Sequence, residues 1–184
     1  MNSRKINQLF LQFKYPIMKF LTIAVALLIT FNVNGQTDSI QPPYKRFPTP
    51  PPFKLLLTDS ATYFTKADLE KKKPLLIMLF SPDCDHCKHE TEELIKNIDK
   101  FKKVQIVMAT FQPFDEMKKF YADFQLNRFE NIVVGKDINF ILPPFYNIRN
   151  LPFLAFYDKK GQLISVFEGG LPMDKVAEKF GIDK

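Results

Sequence analysis

The two cysteines of this 184-residue chain stand two residues apart, in Cys84-Asp85-His86-Cys87. Thiols at this spacing can close a disulfide and open it again, so the chemistry they offer is two-electron thiol–disulfide exchange. A purely structural bridge is the poorer reading, because so short a loop removes almost no chain entropy from the unfolded state. The preceding run, Leu75 to Phe80, is apolar at every position, as a strand buried on both faces must be. A helix-patterned segment follows from about Asp85 to Phe101, with Cys87, Thr91, Leu94, Ile98 and Phe101 on one stripe. This order puts Cys84 at a helix N-terminus, where unpaired N–H groups favour the attacking thiolate, and turns Cys87 toward the core.

The elements that must hold the pair can be read from Phe53 onward. Phe53 to Leu57 and Thr62 to Phe64 are extended candidates, and Thr65 is the N-cap of a helix closing before Pro74. After the dithiol helix come a strand over Val104 to Ala109, a helix over Phe114 to Phe124 and a short strand over Ile132 to Val134. A helix over Asn139 to Tyr146 is interrupted by Pro143-Pro144. Leu154 to Tyr157 and Leu163 to Phe167 flank the turn Asp158-Lys159-Lys160-Gly161, and Met173 to Phe180 is an amphipathic helix. The alternation describes an α/β domain with a central mixed sheet flanked by helices on both faces.

Composition restricts what this domain does. Twenty phenylalanines, without one tryptophan, are ample for a packed core. The net charge of +6 includes Arg4, Lys5, Lys14 and Lys19 from the first 35 residues, which hold no acid; the remainder carries 22 basic and 20 acidic residues, or +2. Nucleic-acid binding therefore has no support. Those four cations precede the apolar run Phe20 to Phe31 and then Asn32-Val33-Asn34-Gly35, a secretory signal with cleavage expected after Gly35. Met18 is a natural start for that signal, and an uncleaved N-terminal membrane anchor is the alternative. Either way the domain lies outside the cytoplasm, in a periplasm or cell envelope. Residues 36–52 contain six prolines and read as an extended, semi-rigid spacer, so residues 53–184 make the domain.

With these elements in place the chain resembles the thioredoxin-fold superfamily. Ser81-Pro82-Asp83-Cys84-Asp85-His86-Cys87 after a buried strand looks like its active-site loop. Tyr146-Asn147-Ile148-Arg149-Asn150-Leu151-Pro152-Phe153-Leu154 looks like its cis-proline segment. The extra helix and strand between Phe111 and Tyr146 resemble the insertion of the exported TlpA-like and redoxin branches. The resemblance implies a thiol-disulfide oxidoreductase with Cys84 attacking, Cys87 resolving, and Leu151 and Pro152 pairing with an extended substrate. No metal and no cofactor beyond a Cys84–Cys87 disulfide is implied. The partners would be protein thiols or disulfides and a membrane electron donor, the working state a monomer, and reduction the favoured direction. Asp85 and His86 would tune the couple in opposite senses, His86 favouring the Cys84 thiolate and the acids Asp83 and Asp85 opposing it. Two features depart from the family pattern. Met78 stands where thioredoxins carry a buried acid, leaving the proton acceptor for Cys87 unassigned, and Asp83 stands in place of the usual tryptophan.

Two other classes use the same residues. In a peroxiredoxin-like thiol peroxidase, Ser81 fits the position three residues before the reactive cysteine, but Ile77 stands where the family has proline. In a copper metallochaperone of this fold the two thiolates would hold Cu(I). Cys84, His86, Cys87 and His89 cannot all converge on one tetrahedral ion along an intact helix. Haem attachment is excluded, because Lys88 rather than histidine follows Cys87.

Overall fold

The computed structural model describes residues 41–182. The signal segment, its cleavage site and residues 36–40 of the spacer lie outside the described residues. Seven strands form one sheet: β1 (Lys54–Leu57), β2 (Tyr63–Thr65), β3 (Leu75–Leu79), β4 (Gln105–Thr110), β5 (Ile132–Asp137), β6 (Phe153–Tyr157) and β7 (Leu163–Glu168). Five helices accompany them: α1 (Pro43–Arg46), α2 (Asp85–Lys96), α3 (Phe114–Asp123), α4 (Leu142–Tyr146) and α5 (Met173–Phe180). The strand order is β2-β1-β5-β4-β3-β6-β7. β3, β4 and β5 are mutually parallel, and β6 and β7 close the sheet antiparallel.

Side-chain alternation along the central strands separates two cores. Leu76, Met78 and Phe80 join Ile106, Met108, Val134, Leu154 and Phe156 on the face covered by α2, α3 and α5. Leu75, Ile77 and Leu79 join Val107, Ala109, Phe153, Ala155 and Tyr157 on the face covered by α4. All five residues of β3 are buried, which is why its sequence shows no polar alternation. On the α4 side the hydroxyls of Tyr146 and Tyr157 are 2.6 Å apart, each giving the other its partner in an apolar setting.

Several elements differ from their sequence reading. From Gln41 on, the expected spacer is packed onto the domain: Pro43–Arg46 form a helical turn, Tyr44 lies 6.1 Å from the Tyr146 ring, and Pro50 and Pro51 are buried. The carbonyl of Pro48 accepts from Leu163 N–H at 2.8 Å. Proline supplies apolar surface and a backbone with little entropy left to lose, so proline density serves docking as well as extension. The helix expected after Thr65 is one 3-10 turn, Lys66–Asp68, held by a reciprocal Thr65 and Asp68 capping box. With only Leu69 to bury before Lys71-Lys72-Lys73, that segment has no apolar stripe to hold a longer helix. The dithiol helix ends at Lys96 and continues as a 3-10 turn through Phe101. Pro143 and Pro144 open α4 rather than interrupt it, because a first turn needs no N–H from them.

Gly135 marks the tightest approach in the sheet. A Cβ there would meet the Leu55 Cβ at 2.7 Å, where β1 runs antiparallel to β5 with Gly135 opposite Leu57. We expect Gly135→Ala to lower stability by about 1–3 kcal/mol through overpacking, read as a lower urea midpoint with an unchanged slope; an unchanged midpoint would show that β1 shifts without cost.

Candidate active site

The sheet delivers the dithiol to its carboxyl edge. β3 ends at Leu79, Phe80 N–H still donates to the Ala109 carbonyl (3.0 Å), and residues 81–83 turn the chain into α2. Cys84 is the N-cap of that helix, and its sulfur accepts from the backbone N–H of Cys87 at 3.3 Å. This contact strengthens as charge develops on the sulfur. The Cys84 and Cys87 sulfurs are 2.7 Å apart, and both residues are free cysteines. Cys84 is half-buried, whereas Cys87 is fully buried among the residues of the α2 core. Burial pushes the Cys87 thiol well up from its usual range, and its hydrogen bond with Cys84 adds to the push.

The second segment arrives from the start of β6. The Leu151–Pro152 peptide is cis, and the Leu151 carbonyl lies 3.9 Å from the Cys84 sulfur. Leu151 packs against both cores. The structure thus brings together four of the residues singled out from sequence: Cys84, Cys87, Leu151 and Pro152. The other two stand apart. Asp85 pairs with Lys88 at 3.0 Å on the exposed side of the first turn. His86 is exposed, and no hydrogen bond joins it to Cys84 among the described residues. Asp83 takes a short hydrogen bond from the Ser81 hydroxyl, which holds its carboxyl below the usual range. His89 is exposed as well, and no three of His, Cys, Asp or Glu converge among the described residues.

One buried acid on the dithiol helix escaped the sequence reading. Glu90 is only 4% exposed, and its Oε2 accepts from Leu171 N–H at 3.0 Å while Oε1 has no partner. Burial raises its carboxyl to about 7. The signal was present, since Glu90 follows Cys87 by three residues and Leu94 follows by seven, which is one helix face. Through Leu171 the carboxylate ties α2 to the segment after β7. There, Gly169 N–H donates to the Pro152 carbonyl at 2.8 Å. The dithiol helix and the cis-proline segment are therefore linked through Glu90 as well as through the core. Met78, in the place of the family's buried acid, is fully buried.

The chain belongs to the thioredoxin-like domain family, whose model matches residues 64–181. With its dithiol on that fold, it is a thiol-disulfide oxidoreductase. A secreted Mycobacterium tuberculosis disulfide oxidoreductase homologous to Escherichia coli DsbE is similar in structure, with TM-score 0.58 at 20% identity, over 69% of this chain and 92% of that one. DsbF of the same bacterium, solved in mixed oxidized and reduced forms, aligns with TM-score 0.60 at 17% identity over 72% and 95% of the two chains. Bacillus subtilis StoA aligns with TM-score 0.55 at 16% identity over 72% and 98%. No curated protein sequence matches significantly.

Glu90 gives the site a titration that can be measured. Its folded-state value lies above the ordinary 4.5, so between about pH 4.5 and 7 the folded chain keeps a proton that the unfolded chain has released. Stability therefore falls as pH rises through that window. Glu90→Gln keeps a carbonyl for Leu171 N–H and should remove about 2 kcal/mol of that fall, measured by urea unfolding from pH 4 to 8. The same slope in wild type and variant would show that Glu90 is not the titrating group.

Proposed function

We propose that this chain is a cell-envelope oxidoreductase that reduces disulfides in proteins through its Cys84 and Cys87 dithiol. The observation that carries the reading is the pairing of a half-buried Cys84 sulfur with a fully buried Cys87 sulfur 2.7 Å away. The Leu151 carbonyl stands beside the first sulfur. The Cys84 thiolate attacks one sulfur of the substrate disulfide, an S–S bond forms to Cys84, and the other substrate sulfur leaves as a thiolate that takes up a proton. Cys87, losing its proton, attacks Cys84 and releases the second substrate thiol. Two electrons have then passed from the dithiol to the substrate, leaving a Cys84–Cys87 disulfide for a membrane electron donor to reduce. The backbone of Leu151, with Pro152 beside it, offers an extended substrate a short edge to pair with.

The direction follows from what the site does not stabilise. An oxidising couple needs a favoured reduced form, usually through groups that hold its thiolate. Here the Cys84 sulfur accepts from the Cys87 backbone N–H, but among the described residues the histidine between the cysteines adds no hydrogen bond to it, and burial opposes charge on Cys87. Location in the envelope rests on the apolar signal over residues 20–31 and on the secreted relative.

Equilibration with glutathione should place the couple near the ~ −270 mV of thioredoxin rather than the ~ −120 mV of DsbA, with insulin reduction in parallel. Cys84→Ser should abolish turnover. Cys87→Ser should retain the first attack and accumulate a mixed disulfide visible by mass spectrometry. Full insulin reduction by Cys84→Ser would refute the mechanism, and a potential near that of DsbA would reverse the direction.

A further inference from the structure

At the amino end of the central strands, the pole opposite the dithiol, lysines gather around a groove that the thiol chemistry does not use. Lys66, Lys71, Lys72, Lys73, Lys159 and Lys160 line a cavity of about 730 Å³, within the roughly 300–1,000 Å³ of a small-molecule site. The first four precede β3, and the last two lie in the turn between β6 and β7. Only two acids, Glu70 and Asp158, share the lining, so the groove carries four net positive charges. Residues 36–184 hold +2 in all, so the positive charge of the domain is concentrated here. Both acids are also engaged. Glu70 pairs with Lys73, and Asp158 accepts from the backbone N–H groups of Lys160 and Gln162 at 2.8 Å each. Lys66 donates to the Thr49 hydroxyl at 3.3 Å. It and Lys71, Lys72, Lys159 and Lys160 are exposed and have no ion pair among the described residues.

Gln105 gives this charged rim an oriented donor. It opens β4, lines the groove and is only 5% exposed. Its Oε1 accepts from Glu70 N–H at 3.0 Å, which leaves Nε2 as the other end of a fixed amide. Nε2 has no hydrogen bond among the described residues, and it is not sealed away from the groove. Two N–H donors are therefore held in place without a protein acceptor. Pro50, Leu69 and Leu75 add an apolar flank to the same groove. Cations at the rim, amide donors beneath them and an apolar wall complement an oxyanion that is attached to an apolar group.

We infer that this groove binds a phosphate carrying an apolar group. The Gln105 amide and the unpaired lysines donate to the phosphate oxygens, and Pro50, Leu69 and Leu75 receive the apolar part. Lysine serves a phosphate as a point charge, without the planar fork by which arginine favours carboxylates. Two sources offer this chemistry, the headgroup of an anionic phospholipid and a soluble phosphate ester. The site is separate from the dithiol: Gln105 pairs with Leu75 where β3 begins, whereas Cys84 follows the other end of that strand. Five residues of strand span roughly 16 Å. A ligand or lipid surface held at this pole leaves Cys84 open, so the inference does not depend on the direction or the substrate of the redox reaction.

The test follows the Gln105 side-chain amide of the full chain by NMR during titration with three probes. These are dihexanoylphosphatidylglycerol and dihexanoylphosphatidylcholine, both below their micelle concentrations, and glycerophosphoglycerol, which has the charge of the first without its acyl chains. The phosphatidylglycerol should move the Gln105 amide signals and bind about tenfold more tightly than the phosphatidylcholine, whose cation the lysines repel. Glycerophosphoglycerol bound about tenfold more weakly than the lipid assigns the site to lipid; equal binding keeps the phosphate site and assigns it to soluble esters. Lys71→Gln combined with Lys160→Gln should weaken the phosphatidylglycerol about tenfold. Gln105→Glu, which keeps an oxygen for Glu70 N–H but loses the amide donors, should weaken it at least as much, with thermal unfolding checking that each variant is folded. Gln105 signals that no anionic probe moves, equal affinity for the two lipids, or wild-type affinity in the double lysine variant would overturn the site.

Discussion

Burial of β3 on both faces is the constraint that shapes the rest of the molecule. Leu75 to Leu79 touch one core through their odd-numbered side chains and the other through their even-numbered ones. Such a strand has no place for a reactive group along its length, since an unpaired polar atom there would cost several kcal/mol. Reactivity is displaced to the end of the strand, where the chain leaves the sheet and α2 begins. The same burial makes β3 the rigid reference against which β4 and β6 register, and these strands deliver Phe111 and Pro152 to the same edge. One apolar strand thereby brings the dithiol turn and the cis-proline segment together, with the Leu151 carbonyl 3.9 Å from the Cys84 sulfur.

Around that edge two buried carboxylates do what a salt bridge does elsewhere, without a cation. Glu90 accepts from Leu171 N–H, and Asp137 accepts from Leu142 N–H. Burial pushes both carboxyls up, so each bond is kept at a cost in desolvation. Their positions account for tolerating that cost. Glu90 anchors the segment following β7 to the dithiol helix, and Asp137 anchors the loop following β5, so irregular backbone next to the site is held by side chains from regular elements. A hydrophobic contact could supply similar energy, but it would not fix a particular N–H in a particular direction.

Much of this was legible in the chain because the decisive signals are local. The apolar run of β3, the stripe from Cys87 to Leu94 and the hairpin turn at Asp158 each depend on periodicity within one element, and α5 spans Met173–Phe180 as its pattern implies. Part of what failed depended on partners distant in sequence. Proline density at residues 42–52 carries no mark of the α4 and β7 surfaces that Tyr44 and Pro48 meet. Glu90 reads as one more solvated glutamate among Glu92 and Glu93 until Gly170 and Leu171 close over it; a Cβ on Gly170 would come within 3.0 Å of its Oε2. The Asp85 and His86 pair looks symmetric in sequence, yet Lys88 claims Asp85 and nothing draws His86 toward the sulfur.

The buried Cys87 thiol presents a difficulty that the geometry itself resolves. A thiol held up by burial is a poor nucleophile, and Met78 offers it no base. Part of the upward push, however, comes from Cys84, through the hydrogen bond between the two sulfurs and through charge on the first one. In the proposed mechanism Cys84 becomes tied up in a mixed disulfide, where it carries no negative charge and accepts hydrogen bonds only weakly, so both contributions fall away. What remains is burial and a smaller push from the Asp83 charge, opposed by a hydrogen bond from the Ser81 backbone. The substrate thiolate released in the first step is meanwhile a base at the mouth of the site. In the proposed mechanism, formation of the mixed disulfide therefore lowers, without abolishing, the obstacle to losing the Cys87 proton, and it frees a group able to accept that proton.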